Sequence, residues 1–158
     1  MSELIDTKRR VEDFILRSAL MIDNGQLEDW LGCFEDKSRY IVIPRENKER
    51  GLPGALMHCE NKARLTDRIT CLRVANKINP HSDRHILSGS LITEIAGDVV
   101  SVQSSFLVVQ TNLSGASILF CAGCYEDKIR LAKDGEKLVE RYVVVDSFSI
   151  PTMLATPL

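Results

Sequence analysis

The hydrophobic period of this chain switches to two at Arg84 and stays there to the end of the last apolar run. Ahead of that point helical spacing dominates, so the chain is built to lay helices against a sheet. Residues 3–23 carry Leu4, Val11, Ile15, Ala19 and Ile22 on one stripe with a polar back, and Asn24-Gly25 ends that helix. Leu27, Trp30, Leu31 and Phe34 predict a short second amphipathic helix. Residues 39–43 predict a strand stopped by Pro44, and 45–55 a charged loop with glycines. A third helix is expected over 61–76, with Leu65, Ile69 and Leu72 inside and Lys62, Arg64, Arg68 and Arg73 outside. A turn that includes His81 should follow.

Strands are then expected over 85–95, 99–111, 117–131 and 138–149. Gly97-Asp98, Ser114-Gly115 and Asp134-Gly135 separate them as hairpin turns. The result is an α+β domain over residues 1–158, with three helices packed on an antiparallel meander. Val99, Val100, Val102 and the run 106–109 place apolar groups on both faces of one strand, and 143–145 do so on another. Either a partner chain covers the second face or the sheet curls over it. The tail 148–158 is apolar and uncharged, with Pro151 and Pro157 against a regular element. It should pack in a groove of its own subunit or a neighbour's.

Composition excludes several classes. A net charge of −2 gives no pull toward nucleic acid or membrane. The start, MSELIDTKRR, has no apolar core to serve as a signal peptide, and no apolar run is long enough to span a bilayer, so the cytoplasm is the expected home. Five cysteines, an odd number, read as reduced thiols. Cys121 and Cys124 form a CxxC inside an alternating strand, where residues three apart face opposite ways and cannot share a zinc. His58, His81 and His85 are too few and too scattered for a Rieske or mononuclear iron site, and no Cys-x-His arm exists. There is no dinucleotide fingerprint, P-loop or nucleophile elbow. The chain is expected to bind no cofactor or metal itself.

Arg84-His85 stands where the turn enters the sheet, with Asp67 or Asp83 as expected partners. One reading is a structural ion pair or a subunit contact. The other casts His85 as base, Asp23 or Asp67 as its orienter and Tyr40 as acid. The cationic helix, Arg68 included, is either a solvated face or a source of bidentate pairs with a partner's carboxylates.

A set of short segments runs through the whole chain in a fixed order: Ile22-Asp23, Trp30, Phe34, Tyr40, Pro44-Arg45-Glu46-Asn47, Gly51-Leu52-Pro53, Leu65-Thr66-Asp67-Arg68-Ile69, Arg84-His85-Ile86, Ala122-Gly123, Tyr125, Asp127-Lys128, Asp146-Ser147 and Pro157-Leu158. In order and spacing they resemble the small (β) subunits of aromatic ring-hydroxylating dioxygenases. The PREN and GLP loops are similar to salicylate 5-hydroxylase small subunits, and LTDRI and RHIL to terephthalate dioxygenase small subunits.

The resemblance implies a cone-shaped, nuclear-transport-factor-2-like fold and a non-catalytic subunit in an α3β3 hexamer built on a homotrimer of small subunits. It implies that the large subunit holds a Rieske [2Fe-2S] cluster and a mononuclear Fe(II), fed from NADH by a reductase. It further implies an aromatic carboxylate substrate of the terephthalate, salicylate, anthranilate or halobenzoate type. On that footing Asp67, Arg68, Arg84 and His85 are structural or interface residues. The alternatives are a stand-alone cone-fold lyase or isomerase of the scytalone dehydratase type using a His–Asp pair, and a binding module.

Overall fold

The computed structural model describes residues 2–75 and 78–158. Helix α1 covers Ser2–Asp23 and α2 covers Leu27–Leu31. Strand β1 is Phe34–Pro44, followed by α3, Arg45–Glu49, then β2, Met57–Cys59, and α4, Lys62–Val74. The remaining strands are β3 (His81–Leu87), β4 (Leu91–Ala96), β5 (Val99–Asn112), β6 (Ser117–Ala132) and β7 (Gly135–Val145).

The buried stripe of α1 is Val11, Phe14, Ile15, Ser18, Ala19 and Ile22, at helical spacing. Leu4 is exposed, so the buried stripe begins at Val11, about two turns later than the sequence pattern suggests. The helix stops where Gly25 turns to φ +70°, a left-handed conformation that glycine adopts without cost. Its amide then closes on the Ile22 carbonyl at 2.9 Å. The second helix is shorter than expected. Trp30 is fully buried on it, but Phe34 already belongs to β1 and meets Trp30 edge to face at 4.8 Å. The segment 45–55 is more than a loop, since it holds α3 and leads into β2. The expected helix end at residue 76 lies outside the described residues.

The strands form a seven-stranded sheet in the order β2-β1-β7-β6-β5-β3, with β4 also on β5. The expected meander is present in β5, β6 and β7, which pair antiparallel. Two features go beyond it. Strand β1 lies parallel to β7, which brings the start and the end of the sheet together. Strand β2 pairs antiparallel with the other edge of β1.

The expected strand over 85–95 is two strands, and it starts earlier, at His81, which had been expected in a turn. Leu87 pairs with Phe106, and Leu91 with Gln103. The run between them is thus one residue longer on the β3–β4 side than on β5. Ser88, Gly89 and Ser90 absorb that extra residue, and the Ser90 amide donates to Glu12 at 3.1 Å. Further register shifts occur in β4–β5, β5–β6, β6–β7 and β1–β7. Each such bulge bends its strand and adds twist. Five of them curl the sheet around its inner face. At one point the curl brings two backbones so close that only glycine fits: a Cβ on Gly123 would run into the Val144 carbonyl.

The main core lies between α1, α2, α4 and the inner face, where Val100, Val102, Phe106, Val108, Tyr125, Ile129, Leu138, Val143 and Val145 point inward. The apolar groups on the outer face have two fates. Ile41, Ile43 and Val144 form a second small cluster covered by Ala55 and Tyr142. Leu107 and Val109 stay half-buried, beside exposed Ile86 and Leu119. The tail packs on its own subunit: Leu154, Ala155 and Leu158 are buried, while Phe148 and Met153 are exposed.

One charged pair sits inside this core. Arg141 and Asp127 oppose each other across β6 and β7 and are fully buried. The guanidinium makes two bonds of 2.8 Å to the two carboxylate oxygens and lies 4.3 Å from the Tyr125 ring centre. Removing one partner of such a pair leaves a buried charge uncompensated. Arg141→Ala should therefore cost about 3–5 kcal/mol in urea unfolding, whereas Arg141→Met with Asp127→Leu should recover most of it. Equal losses in the single and double variants would contradict this account.

Candidate functional site: a buried histidine–aspartate pair

Asp23 is the last residue of α1, and β3 runs past it. Its carboxylate accepts from the His85 backbone amide at 3.0 Å and meets the His85 ring Nδ1 at 2.6 Å. Both side chains are almost fully buried. Arg84, on the opposite parity of β3, sends its guanidinium to within 3.6 Å of the same carboxylate but is 61% exposed. For the ion pair, the expected Asp67 and Asp83 are thus replaced by Asp23, the residue that the sequence also offered as orienter of His85. The reason is topological: β3 packs against the end of α1, while Asp67 stays on the exposed face of α4. Asp83 faces inward beside Gln110 and His81.

The pair has the composition of a base and its orienter. The carboxylate fixes Nδ1 as the protonated nitrogen and leaves Nε2 as the free one, buried without a hydrogen-bond partner. The proposed acid does not join it. Tyr40 is wholly buried, and its hydroxyl donates to the Leu158 carbonyl at 3.0 Å and accepts from the Leu158 amide at 2.9 Å. Burial pushes the Tyr40 phenol far up, so it holds its proton. The two cavities lined by His81 and Asp83 are not lined by His85. The arrangement ties β3 to α1, and none of the described cavities is lined by His85.

Arg68 has a structural task too: it donates to the Leu154 carbonyl at 3.1 Å and so pins the tail to α4. Arg73 grips Glu28 with two nitrogens, at 3.0 and 2.9 Å, and joins α4 to α2. Cys121 and Cys124 lie on opposite faces, the first in the main core and the second against the outer cluster. Among the described residues no group of three or more His, Cys, Asp or Glu is placed to hold a metal ion. No helix among them is long and apolar enough to cross a membrane. The residues missed from sequence are Asp127 and Arg141. Their parity was the available signal, because both share the inner face with Tyr125, Ile129 and Val143.

Helices α1, α2 and α4 on the inner side of a curled, mixed sheet, with an inward His–Asp pair, define a cone of the nuclear-transport-factor-2-like class. A protein assigned as a scytalone dehydratase from Novosphingobium aromaticivorans shares that fold, with a TM-score of 0.68 over 93% of this chain and 89% of its own, at 13% identity. Within the class, residues 17–152 match the family described as ring hydroxylating beta subunit, and this chain belongs to that family. It is 34% identical over 155 residues to the anthranilate 1,2-dioxygenase small subunit of Burkholderia cepacia, covering 97% of this chain and 96% of that one. It is 32% identical over 140 residues to a terephthalate 1,2-dioxygenase terminal oxygenase β subunit of Comamonas sp, covering 89% and 91%. A β subunit assigned to an aromatic-ring-hydroxylating dioxygenase of Novosphingobium aromaticivorans superposes with a TM-score of 0.90 at 37% identity, covering 98% and 99%. The chain is accordingly a dioxygenase component, with the structural role of a small subunit.

Two outcomes test this site. Asp23→Ala removes the acceptor of both His85 bonds, and bonds to charged groups contribute about 1.5–3 kcal/mol each. It should lower unfolding stability by at least about 2 kcal/mol, while Arg84→Ala, at an exposed pair, should cost under about 1 kcal/mol. A larger loss for Arg84→Ala would reverse this assignment. The cysteines give a second check. Burial pushes the Cys121 thiol up to about 12, with Asp83 adding to the shift, and burial raises Cys33 and Cys59 as well. Since the thiolate is the reactive form, a thiol reagent at pH 8 should label exposed Cys71 fastest and reach those three only on unfolding.

Proposed function

We propose that this chain is the structural small subunit of the terminal oxygenase of a multicomponent Rieske system acting on an aromatic carboxylate. The observation that carries the reading is the match to the anthranilate 1,2-dioxygenase small subunit over nearly the full length of both chains. The similarity to a terephthalate 1,2-dioxygenase subunit points to the same carboxylate-bearing class. The reading places the Rieske [2Fe-2S] cluster and the mononuclear Fe(II) in a large subunit, with electrons from NADH through a reductase, in the cytoplasm. It assigns this chain to the base of an α3β3 hexamer.

The site geometry supports a structural role, because the two groups cast as base and acid are tied to the chain. His85 is held by Asp23 and Tyr40 by Leu158. The outer face supports association. Arg84, Ile86, Leu107, Val109 and Leu119 share it by register, and Ile86 and Leu119 are exposed on it. An apolar row with an arginine at its border is suited to a neighbouring small subunit. A stand-alone lyase keeps one observation in its favour, the free Nε2 of His85.

Co-expression with the large subunit distinguishes the two. The expected product is a brown complex whose iron stays with the large subunit and whose mass fits three copies of each chain. Leu119→Asp should break small-subunit association in light scattering while leaving the melting temperature within a few degrees. A monomeric wild-type chain with no affinity for the large subunit would refute the assembly. His85→Gln with unchanged oxygenase turnover is expected; loss of turnover in an intact complex would favour a catalytic histidine.

A further inference from the structure

The sheet ends at Asp146, whose amide donates to the Ala122 carbonyl at 2.9 Å. Beyond it, residues 147–158 belong to no helix or strand and make no backbone–backbone hydrogen bond among the described residues. Their far end is nevertheless buried, at Leu154, Ala155, Pro157 and Leu158. Three hydrogen bonds hold that end, and all three come from side chains. Arg68 donates to the Leu154 carbonyl at 3.1 Å. The Tyr40 hydroxyl donates to the Leu158 carbonyl at 3.0 Å and accepts from the Leu158 amide at 2.9 Å. Between β7 and these anchors, Phe148 and Met153 are 68% and 66% exposed. A loosely attached linker thus carries a buried end.

The two gripping side chains are positioned without help from that end. Tyr40 lies on β1 with a strand on each side, paired with Cys59 of β2 and Arg141 of β7. Its ring meets Trp30 and Phe34 edge to face at 5.3 and 6.0 Å. Arg68 is carried by α4, whose Leu65 and Ile69 are in the main core. The grip reads backbone groups, one carbonyl at 154 and both polar groups of residue 158. Side-chain selection comes from burial, since Leu154 and Leu158 enter the main core. Pro157 brings no N–H that would need a partner once buried. Releasing this end breaks three hydrogen bonds and no sheet ladder. Segments attached in that way open locally, at far lower free energy than core strands.

We propose that residues 147–158 are a strap that lifts as a unit while the sheet stays closed, and that the groove it vacates binds a short apolar peptide segment. Lifting frees the Tyr40 hydroxyl and the Arg68 guanidinium together. A segment that fits supplies a carbonyl to Arg68 and, four residues later, a carbonyl and an amide to Tyr40. It carries leucine-sized side chains at those two positions. The strap competes with any such segment, so its own hold sets the threshold for docking. Both properties belong to the chain by itself, and the test needs no large subunit.

The test begins with hydrogen exchange of the full-length chain, read residue by residue by NMR. The Leu158 amide should exchange at least about a hundredfold faster than the amides of β7. Dilute urea should speed the β7 amides and leave the Leu158 rate within about twofold, because lifting the strap exposes little surface. Leu158→Asp in the full-length chain puts a charge where the groove is apolar and should leave the strap lifted. An acetylated peptide of residues 151–158 should bind this variant saturably, at least about tenfold more tightly than it binds the wild-type chain, whose own strap competes. A scrambled peptide of the same composition should not bind. Adding Tyr40→Phe should weaken the peptide at least about fivefold. Should Leu158→Asp fail to fold, exchange in the wild-type chain decides, and there Tyr40→Phe should speed the Leu158 amide at least about fivefold. A Leu158 amide that shares the rate and urea dependence of β7 would overturn the proposal. Equal peptide affinity in the variant and the wild type, or equal binding of the scrambled peptide, would overturn it as well.

Discussion

The Arg141–Asp127 pair is the constraint to which the other features of this fold are tied. Two charges at zero exposure are costly to bury, and they are tolerated because the geometry is bidentate and a tyrosine face supplies a third contact. Burial works against the Arg141 charge, but Asp127 more than restores it, so the guanidinium stays ionised. Such a pair contributes registry more than net stability. Slipping β6 against β7 by one residue would turn one charge outward and strand the other. With register fixed, Gly123 falls opposite Val145, at the place where a side chain would clash with the Val144 carbonyl. The same guanidinium reaches Ser18 of α1 at 3.5 Å. The sheet register and the seat of the first helix are thereby linked through one side chain, and the end of that helix positions Asp23.

From this follows why a fold with enzyme-like furniture is used as a building part. The groups cast for proton transfer stand in the interior, and Asp23, His85 and Tyr40 are each bonded to the chain itself. Asp23 takes both the backbone and the ring of His85. Tyr40 is spent on Leu158, and Arg68 on the Leu154 carbonyl. A general base needs space at its free nitrogen, and a general acid needs a free hydroxyl. The tail and the packed core take both away. On its outer sheet face apolar side chains stand exposed beside Arg84, and surfaces of that kind are suited to association.

Much of this was legible in the residues, and the exceptions share a cause. The period switch at Arg84 and the glycine hairpins at 97, 115 and 135 are local signals, and the structure places each hairpin where they point. The opposite facing of Cys121 and Cys124 is likewise a matter of parity. The parallel pairing of β1 with β7 joins residues about a hundred apart, and no local pattern encodes it. Strand β2 is only three residues long, too short to show alternation. The bulges are set by the closing of the curl and not by their own residues, so the strand over 85–95 read as continuous. The residues offered Asp67 or Asp83 for the Arg84-His85 ion pair and Asp23 or Asp67 as orienter of His85; tertiary packing of β3 on the end of α1 selects Asp23 for both.

Strand β3 shows how far the period of two reaches into function. His81, Asp83 and His85 face inward, while Arg84 and Ile86 share the outer row by register with Val109 and Leu107. The same seven residues therefore carry two polar groups of a cavity wall, the tie to α1 and part of the exposed outer row. A fully buried strand would read as a continuous apolar run. This one alternates charge on both faces, which makes sense only if each face has something to meet. Inside, the Asp23 carboxylate meets His85, while His81 meets the Asn79 carbonyl and Asp83 accepts from Gln110. Outside, Arg84 can hold Asp23 weakly and still offer its remaining donors across an interface, because guanidinium carries five N–H groups in a fixed fork. The arginine at this position thus links the interior pair to the exterior face, and a lysine, with one compact head, could serve only one of them at a time.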